Sequence, residues 1–275
     1  MNVAAAEASL LETERSADLG PGSFARLARR PGVIAGVVLL LAFLFLALLA
    51  PVVAPFDPGE AIGGTTVAPS EPSGNHLFGV DEGGRDVFSR VVFGARLALL
   101  VGFASAITGS ALGLLVAMFT RRLGGWVDRL VMRAMDLVAA FPAFFIAVAL
   151  VIVLGRGLWQ IVLAISIAHV PAAARLLRAA GRDGLPGSLP RLIPYASFAF
   201  AGAMIELAGL SFVNLGPQVS GWPEWGLMVA EGISVLELSP HLVLFPGSAI
   251  VLSALAANLI AGGSRAALDP RWNDG

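Results

Sequence analysis

The chain has 275 residues, of which 57% are hydrophobic and 13% are charged, and its mean hydropathy is +0.82. This composition predicts an integral membrane protein because so little charge cannot cover a soluble domain, and the net charge of -1, with arginines spread along the chain, excludes a polyanion-binding patch. The chain has no cysteine and no lysine, which excludes disulfides, thiolate metal sites and the phosphate-binding lysine of a P-loop, so any ATP is expected to bind a partner.

The first 31 residues are small and polar and end in a basic cluster, which predicts a cytoplasmic tail. Residues 32–56 carry no charge and are long enough to cross a hydrocarbon core of about 30 Å at about 1.5 Å per residue. A cleaved signal peptide is the alternative interpretation, but its apolar core would be shorter and would begin earlier. We therefore predict a retained first transmembrane helix over residues 32–56.

Residues 57–94 are predicted to form an extracytoplasmic loop that contains a short amphipathic helix at the membrane interface. Gly, Pro, Ser and Thr dominate the loop, and valines and phenylalanines then recur at helical spacing over 87–92. Asp86 and Arg90 lie four residues apart and are expected to form an ion pair, while Asp81 is expected to cap the preceding turn. A solvated surface helix leading into the next span is the plainer interpretation.

Residues 95–264 are predicted to form a core of five further transmembrane helices. The predicted spans cover 97–120, 137–155, 157–174, 192–215 and 238–264. The first of these contains small residues, including Gly102, Gly109 and Gly113, which suit close contact with other helices, so this span is expected to be buried.

A few polar residues lie within or beside these spans. Arg133 and Asp136 are three residues apart and are expected to pair. His169 is expected to be a hydrogen-bonded structural residue rather than a proton relay. A carboxylate inside a span costs a few kcal/mol and is expected to face the bundle interior or water, so Glu206 is the first candidate for the translocation path or a gate, with Asn214 as the second.

The distribution of arginine predicts the orientation of the chain. A short stretch at 175–194 carries four arginines, and Lys/Arg-rich short loops stay on the cytoplasmic side of a membrane. Six spans with both termini inside place fourteen arginines in the tail 1–31, the loops 121–135 and 175–191 and the tail 265–275, against four outside. Residues 216–237 contain glutamate but no arginine, and Trp222 and Trp225 are expected to sit there at the outer interface.

Four segments together resemble a known family. The segments are HLFGVDEGGRDVFSRVVFGARLALLVG (76–102), RRLGGWVDRLVMRAMDLVAAFP (121–142), WGLM (225–228) and FPGSAIVLSALAANLIAGGSRAALDPR (245–271). They are similar to the C-type permease subunits of bacterial dipeptide, oligopeptide and nickel ABC importers. The positions that match the family's extracytoplasmic motif are Asp81, Gly84, Arg85, Asp86, Arg90 and Trp225.

The resemblance implies an all-α inner-membrane protein with six transmembrane helices in a type I importer core. It implies a non-catalytic subunit that forms half of a translocation path for peptides, nickel or similar small solutes. The expected partners are a second permease subunit, two ATPase subunits that hold ATP and Mg, and an extracytoplasmic substrate-binding protein. No cofactor or metal is expected on this chain.

The chain departs from the family at the cytoplasmic coupling helix, which in the family has an E-A-A core. AARLLR (173–178) and RLIPY (191–195) are recognisable, but the twelve residues between Arg178 and Arg191 contain no E-A-A. Gly and Pro at this density disfavour a helix, which favours a flexible turn over 182–188, and a shortened coupling element that still enters an ATPase groove is the open alternative. The candidate contact residues are Arg175, Arg178, Arg182, Asp183, Gly184, Ser188 and Arg191.

A secondary transporter and a membrane-embedded lipid enzyme are the two alternative classes of function. A secondary transporter would be expected to show an internal repeat, and none is evident. A membrane-embedded lipid enzyme would be expected to cluster His, Asp or Glu on inward helix faces, whereas His76, His169 and His241 are scattered. Both are less favoured than the importer subunit.

Overall fold

The computed structural model describes residues 29–61, 69–179, 185–219 and 221–268. The helices of these ranges are α1 (Pro31–Leu48), α2 (Ala50–Val53), α3 (Val87–Leu123), α4 (Gly125–Val138), α5 (Ala143–Leu154), α6 (Leu158–Ala179), α7 (Leu185–Phe212), α8 (Trp225–Ile233) and α9 (His241–Leu268). In the described ranges, α1, α3, α6, α7 and α9 are each long and apolar enough to cross a membrane, and α4 with α5 makes a sixth span if the bent pair counts as one. The predicted all-α membrane fold is confirmed.

The first span is broken near its C-terminal end. α1 ends at Leu48 and the single turn α2 follows, because Pro51 has no N–H to donate to the carbonyl of Ala47 four residues earlier. Arg96 of α3 supplies the missing donor, with its Nε 2.7 Å from that carbonyl oxygen. A backbone group that lipid could not satisfy is therefore satisfied by a neighbouring helix.

The second span differs from its prediction, because it begins at Val87 and runs for 37 residues without interruption. The separate amphipathic helix at the membrane interface is therefore wrong. A helix of this length is about 55 Å long, which is more than the thickness of the hydrocarbon core, so part of it extends past that core. Its first turns are packed inside the protein. Ser89, Arg90 and Val92 in these turns are buried, and the polar residues that suggested a solvated face have partners inside the protein.

Close packing of α3 against α6 organises the bundle. A Cβ added at Gly113 would lie 2.2 Å from the Cβ of Ala173, and one at Gly109 would lie 3.0 Å from the backbone oxygen of Ser166. The predicted burial of this small-residue face is confirmed. Two apolar cores meet at α3 and α7: one includes α1, α8 and α9, and the other includes α5 and α6.

The predicted third span, 137–155, is divided in the structure. α4 ends at Val138 and α5 begins at Ala143, and their axes differ by 93°. Pro142 lies at the N-cap of α5 and disfavours a helical conformation in Phe141 before it, which separates the two helices. The continuous apolar run therefore contains the end of one helix and the whole of another.

The predicted loop 175–194 is largely helical. α6 continues to Ala179 and α7 begins at Leu185, while residues 180–184 lie outside the described ranges. A flexible turn is therefore wrong from Leu185 onward. Pro186 is tolerated because it falls in the first turn of α7, where the backbone N–H groups have no partner within the helix.

We predict that Gly113→Ala destabilises the protein, because the added methyl group meets Ala173 where α3 and α6 touch. Overpacking of this kind costs about 1–3 kcal/mol, so the melting temperature in detergent should fall by several degrees. Gly262→Ala in α9 is the matched control, since an added Cβ there meets nothing within 4 Å and should leave stability equal or slightly higher. Equal melting temperatures for Gly113→Ala and wild type would contradict the packing argument.

Candidate functional site

The predicted extracytoplasmic motif folds as a cap on the N-terminal end of α3. Asp86 is the N-cap residue, and its Oδ2 accepts a hydrogen bond of 2.7 Å from the backbone N–H of Ser89. Its other oxygen lies 2.9 Å from Nδ1 of His76, which fixes the preceding loop to the helix start. The Ser89 hydroxyl accepts from the backbone N–H of Phe56, which joins the end of the first span to the same point.

Two arginines of the predicted motif, Arg85 and Arg90, each contact the same two carboxylates. Asp81 receives Nε of Arg85 at 3.0 Å and also pairs with Arg90. Glu231 of α8 receives Arg85 at 3.2 Å and Arg90 at 3.1 Å. The predicted ion pair between Asp86 and Arg90 is therefore wrong, because the buried Arg90 reaches Asp81 and Glu231 instead.

This four-residue cluster holds α8 against the start of α3. A cavity of about 250 Å³ lies beside it, lined also by Met228 and Leu242. The predicted cap at Asp81 is confirmed, since its Oδ1 accepts the backbone N–H of Arg85 at 2.9 Å. Gly84 within this turn has φ +74°, a conformation that favours glycine.

Trp225 is buried inside the protein, although the sequence placed it at the membrane interface. It is 1% exposed, and its Nε1 donates to the carbonyl of Val91 at 2.9 Å. The indole lies against Gly94, where an added Cβ would come within 2.6 Å of Nε1. Trp222 is 41% exposed, in keeping with an interfacial position.

Glu224 caps the first turn of α8 from a buried position outside the membrane spans. Its side chain accepts a hydrogen bond of 2.8 Å from the backbone N–H of Leu227. Burial raises the pKa of this carboxyl above its ordinary value, because desolvation outweighs the hydrogen bonds that favour the charged form. Sequence reasoning missed this residue, because a glutamate just before a short helix is ordinarily expected to be solvated.

We predict that Glu224 makes stability fall with rising pH. The folded state holds this proton more tightly than the unfolded chain, so the contribution is complete below the ordinary pKa of 4.5 and is lost as the pH rises towards the raised pKa. Glu224→Gln keeps an acceptor for the N–H of Leu227 without the charge. The melting temperature of wild type should therefore fall relative to that of Glu224→Gln as the pH rises over this range. Glu60→Gln, at an exposed loop residue, is the control and should follow wild type. A constant difference between Glu224→Gln and wild type at all pH values would contradict the prediction.

Inside the membrane, Glu206 of α7 is paired with His169 of α6. Nε2 of His169 lies 3.2 Å from Oε2 of Glu206, and both side chains are 9% exposed. The Tyr195 hydroxyl donates to the backbone oxygen of His169 at 2.8 Å, which adds a second contact between the same helices. The prediction that His169 is hydrogen-bonded is confirmed, while its partner was not foreseen because 37 residues separate the two.

Asn214 lies just after the C-terminal end of α7. Its φ of 59° lies in the left-handed region. The N–H of Leu215 donates to the carbonyl of Leu210 at 2.7 Å, and the N–H of Asn214 donates to the carbonyl of Ser211 at 2.9 Å. This pair of bonds is a Schellman motif with asparagine in the position that glycine usually occupies. Arg156 donates to the Asn214 carbonyl at 2.6 Å, which joins the α5–α6 turn to the end of α7.

We predict that His169 and Glu206 stabilise the fold as a unit. Glu206→Met or His169→Leu alone leaves one buried polar group unpaired, which costs about 1–3 kcal/mol, whereas replacing both removes the need for a partner. The double variant should therefore melt well above the value expected from adding the two single losses. Additive losses would show that the two side chains do not interact.

Near the C-terminal end of α6, its arginines pair with aspartates of α4. Arg178 pairs with Asp128, and Arg175 lies 3.5 Å from Asp136. The predicted pairing of Arg133 with Asp136 is wrong, since Asp136 contacts α6 instead. These ion pairs fix the orientation of α4 against the helix that leads into the predicted coupling region.

The remaining candidate coupling residues are only partly described. Arg182, Asp183 and Gly184 lie outside the described ranges, and the backbone at Ser188 and Arg191 belongs to the first turns of α7. The structure thus separates the sequence candidates into a cluster at the start of α3, a pair between α6 and α7 within their candidate spans, and the C-terminal end of α6. Glu231, the acid shared by two motif arginines, was missed because no local spacing connects it to them.

Comparison with known proteins identifies two families. The binding-protein-dependent transport system inner membrane component matches residues 109–186, and the N-terminal TM domain of oligopeptide transport permease C matches residues 22–71. The first match includes α4, α5, α6 and the undescribed residues before α7. The second covers α1 and α2.

Curated relatives match nearly the whole chain. The dipeptide transport system permease protein DppC of Alkalihalophilus pseudofirmus is 35% identical, with 90% of this chain and 89% of that protein covered. The di/tripeptide transport system permease protein DppC of Pseudomonas aeruginosa is 38% identical, with 89% of each covered. The glutathione transport system permease protein GsiD of Pectobacterium atrosepticum is 36% identical, with 73% of this chain and 74% of that protein covered.

Proposed function

Because this chain belongs to the family of inner-membrane permease components of binding-protein-dependent peptide transporters, we propose that it forms one half of a translocation path and that a second permease subunit forms the other half. The chain is a non-catalytic, multi-pass inner-membrane subunit of an ATP-driven peptide importer. Identity of 35–38% across about nine tenths of the chain is the observation that carries this assignment.

The proposed partners are ATPase subunits and an extracytoplasmic binding protein. With no lysine this chain has no P-loop to bind ATP, so two ATPase subunits would hold ATP and Mg. An extracytoplasmic binding protein would deliver a peptide to the outer face. There the cluster of Asp81, Arg85, Arg90 and Glu231 holds α8 in place, which gives that face a fixed shape.

The proposed orientation has both termini in the cytoplasm. The arginine distribution supports it, and so does the lack of arginine in the segment 216–237. In this orientation the ends of α6 and α7 that flank residues 180–184 face the cytoplasm. The ion pairs of α4 with Arg175 and Arg178 lie at the same end.

We propose that this end is the ATPase contact, made by Arg178, Arg182, Asp183 and the backbone through Ser188. α6 and α7 are rigid elements that approach the contact from both sides, and coupling is carried better by such elements than by flexible ones. His169 and Glu206 join these two helices deeper in the membrane. A displacement at the contact would therefore move α6 and α7 together. Glu206 is proposed as a gate residue because its bond to His169 links the two helices.

The test is purification of the tagged chain from its native membrane, with copurifying proteins identified and ATP hydrolysis measured with binding protein and peptide. We expect a second permease and ATPase subunits, and no hydrolysis by the chain alone. Changing Arg182 and Asp183 to Ala should lower transport-linked hydrolysis at least about fivefold, the lower end of a typical coupling free energy, with normal insertion.

Arg29→Ala is the control for charge on the same proposed side and should leave hydrolysis unchanged. Unchanged hydrolysis in the Arg182/Asp183 variant would mean that the second permease alone carries the coupling. Hydrolysis by the purified chain without partners would contradict the assignment itself.

A further inference from the structure

α4 is the helix whose surface the transport function leaves unexplained. Its axis is bent by 93° from that of α5, so the two helices do not form one straight span. Its inward face carries Asp128 and the buried Met132, and its two aspartates pair with arginines of α6. The opposite face has no helix packed against it in the described part of the chain.

The exposed face of α4 has an apolar stripe beside a basic one. Trp126, Leu130 and Leu137 recur at spacings of four and seven and are 68%, 58% and 69% exposed. Arg129 and Arg133, one turn apart, run along the edge of this stripe and are also exposed. Apolar and basic residues in two adjacent stripes are typical of helices that lie in a membrane interface.

The apolar stripe continues along the chain at both ends of α4. Phe119 near the end of α3 is 61% exposed, as is Phe141 after α4, and Phe145 in α5 is 62% exposed. These neighbours belong to or adjoin helices apolar enough to span the membrane. If an ATPase subunit covered these apolar side chains, they would be exposed to water until the transporter assembled. Membrane lipid would cover them as soon as the chain is inserted.

We propose that α4 lies along the cytoplasmic membrane surface, with Trp126, Leu130 and Leu137 in the acyl chains and Arg129 and Arg133 on anionic phospholipid headgroups. Charge complementarity selects an anionic lipid, because both acids of α4 pair with arginines of α6, although the side chain of Asp136 is itself 57% exposed, and the other exposed charges of α4 are Arg129 and Arg133. Arg121 and Arg122, in the last turn of α3, add to the same basic rim. The proposal depends on the proposed orientation and not on the ATPase contact.

The first measurement locates α4 in a bilayer. The chain has no cysteine, so one can be introduced at Leu130 and spin-labelled, with the transporter in vesicles of phosphatidylcholine and phosphatidylglycerol. We expect a label more accessible to oxygen than to a water-soluble nickel chelate. Asn75→Cys, in an exposed outer loop, is the control and should show the reverse.

The second measurement tests the headgroup contact by comparing the association of spin-labelled phosphatidylglycerol and phosphatidylcholine with the same transporter. R129Q/R133Q should reduce the preference for phosphatidylglycerol, by up to about fivefold for each arginine, the factor that one basic residue near an anionic surface contributes. R129K/R133K keeps the charge and should retain the preference.

Three results would overturn the proposal. They are a water-accessible label at Leu130, a label shielded only when ATPase subunits are bound, and a lipid preference that survives R129Q/R133Q. The second result would assign this face to the ATPase. Because neither measurement uses transport, a preparation that binds no ATPase but shows a lipid-embedded Leu130 would count against the proposed function alone.

Discussion

The close approach of α3 to α6 is the constraint on which the rest of the helix arrangement depends. Lipid chains are as apolar as leucine, so burial of apolar surface does not drive helices together in a membrane, and packing must do so. Gly109 and Gly113 leave space that Ser166 and Ala173 fill. With α6 held this close, its His169 lies beside Glu206 of α7, and α3 and α7 can each contribute to both apolar cores.

Polar groups inside the membrane are satisfied by neighbouring helices rather than by solvent. Arg96 bonds the Ala47 carbonyl that Pro51 leaves without a donor, and Tyr195 bonds the backbone of His169. Each contact joins two helices at a point where an unpaired group would be costly. The same contacts therefore satisfy the backbone and fix the positions of these helices.

The two ends of the bundle are built differently. At one end, the buried Arg90 pairs with Asp81 and with the partly exposed Glu231, which joins α8 to α3. At the other end, α4 is held to α6 by ion pairs that include more exposed groups, and such pairs are worth little each. The second end therefore has the weaker internal restraint of the two, as suits an end that is proposed to meet ATPase subunits and lipid headgroups.

The sequence by itself determined the membrane class, the approximate spans, the buried small-residue face of α3 and the family, because hydropathy, composition and ordered motifs are local properties of the chain. Only the tertiary structure decided that Arg90 pairs with Glu231, that Trp225 is buried against Gly94, that Glu206 faces His169, and that one apolar run bends at Pro142 into two helices. The three contacts depend on which residues meet across helices, more than 30 positions apart, whereas the bend follows from the local effect of Pro142 on the residue before it. Local spacing contains no information about such contacts, and it suggested nearer partners, such as Asp86 for Arg90, that the folded chain replaces with more distant ones.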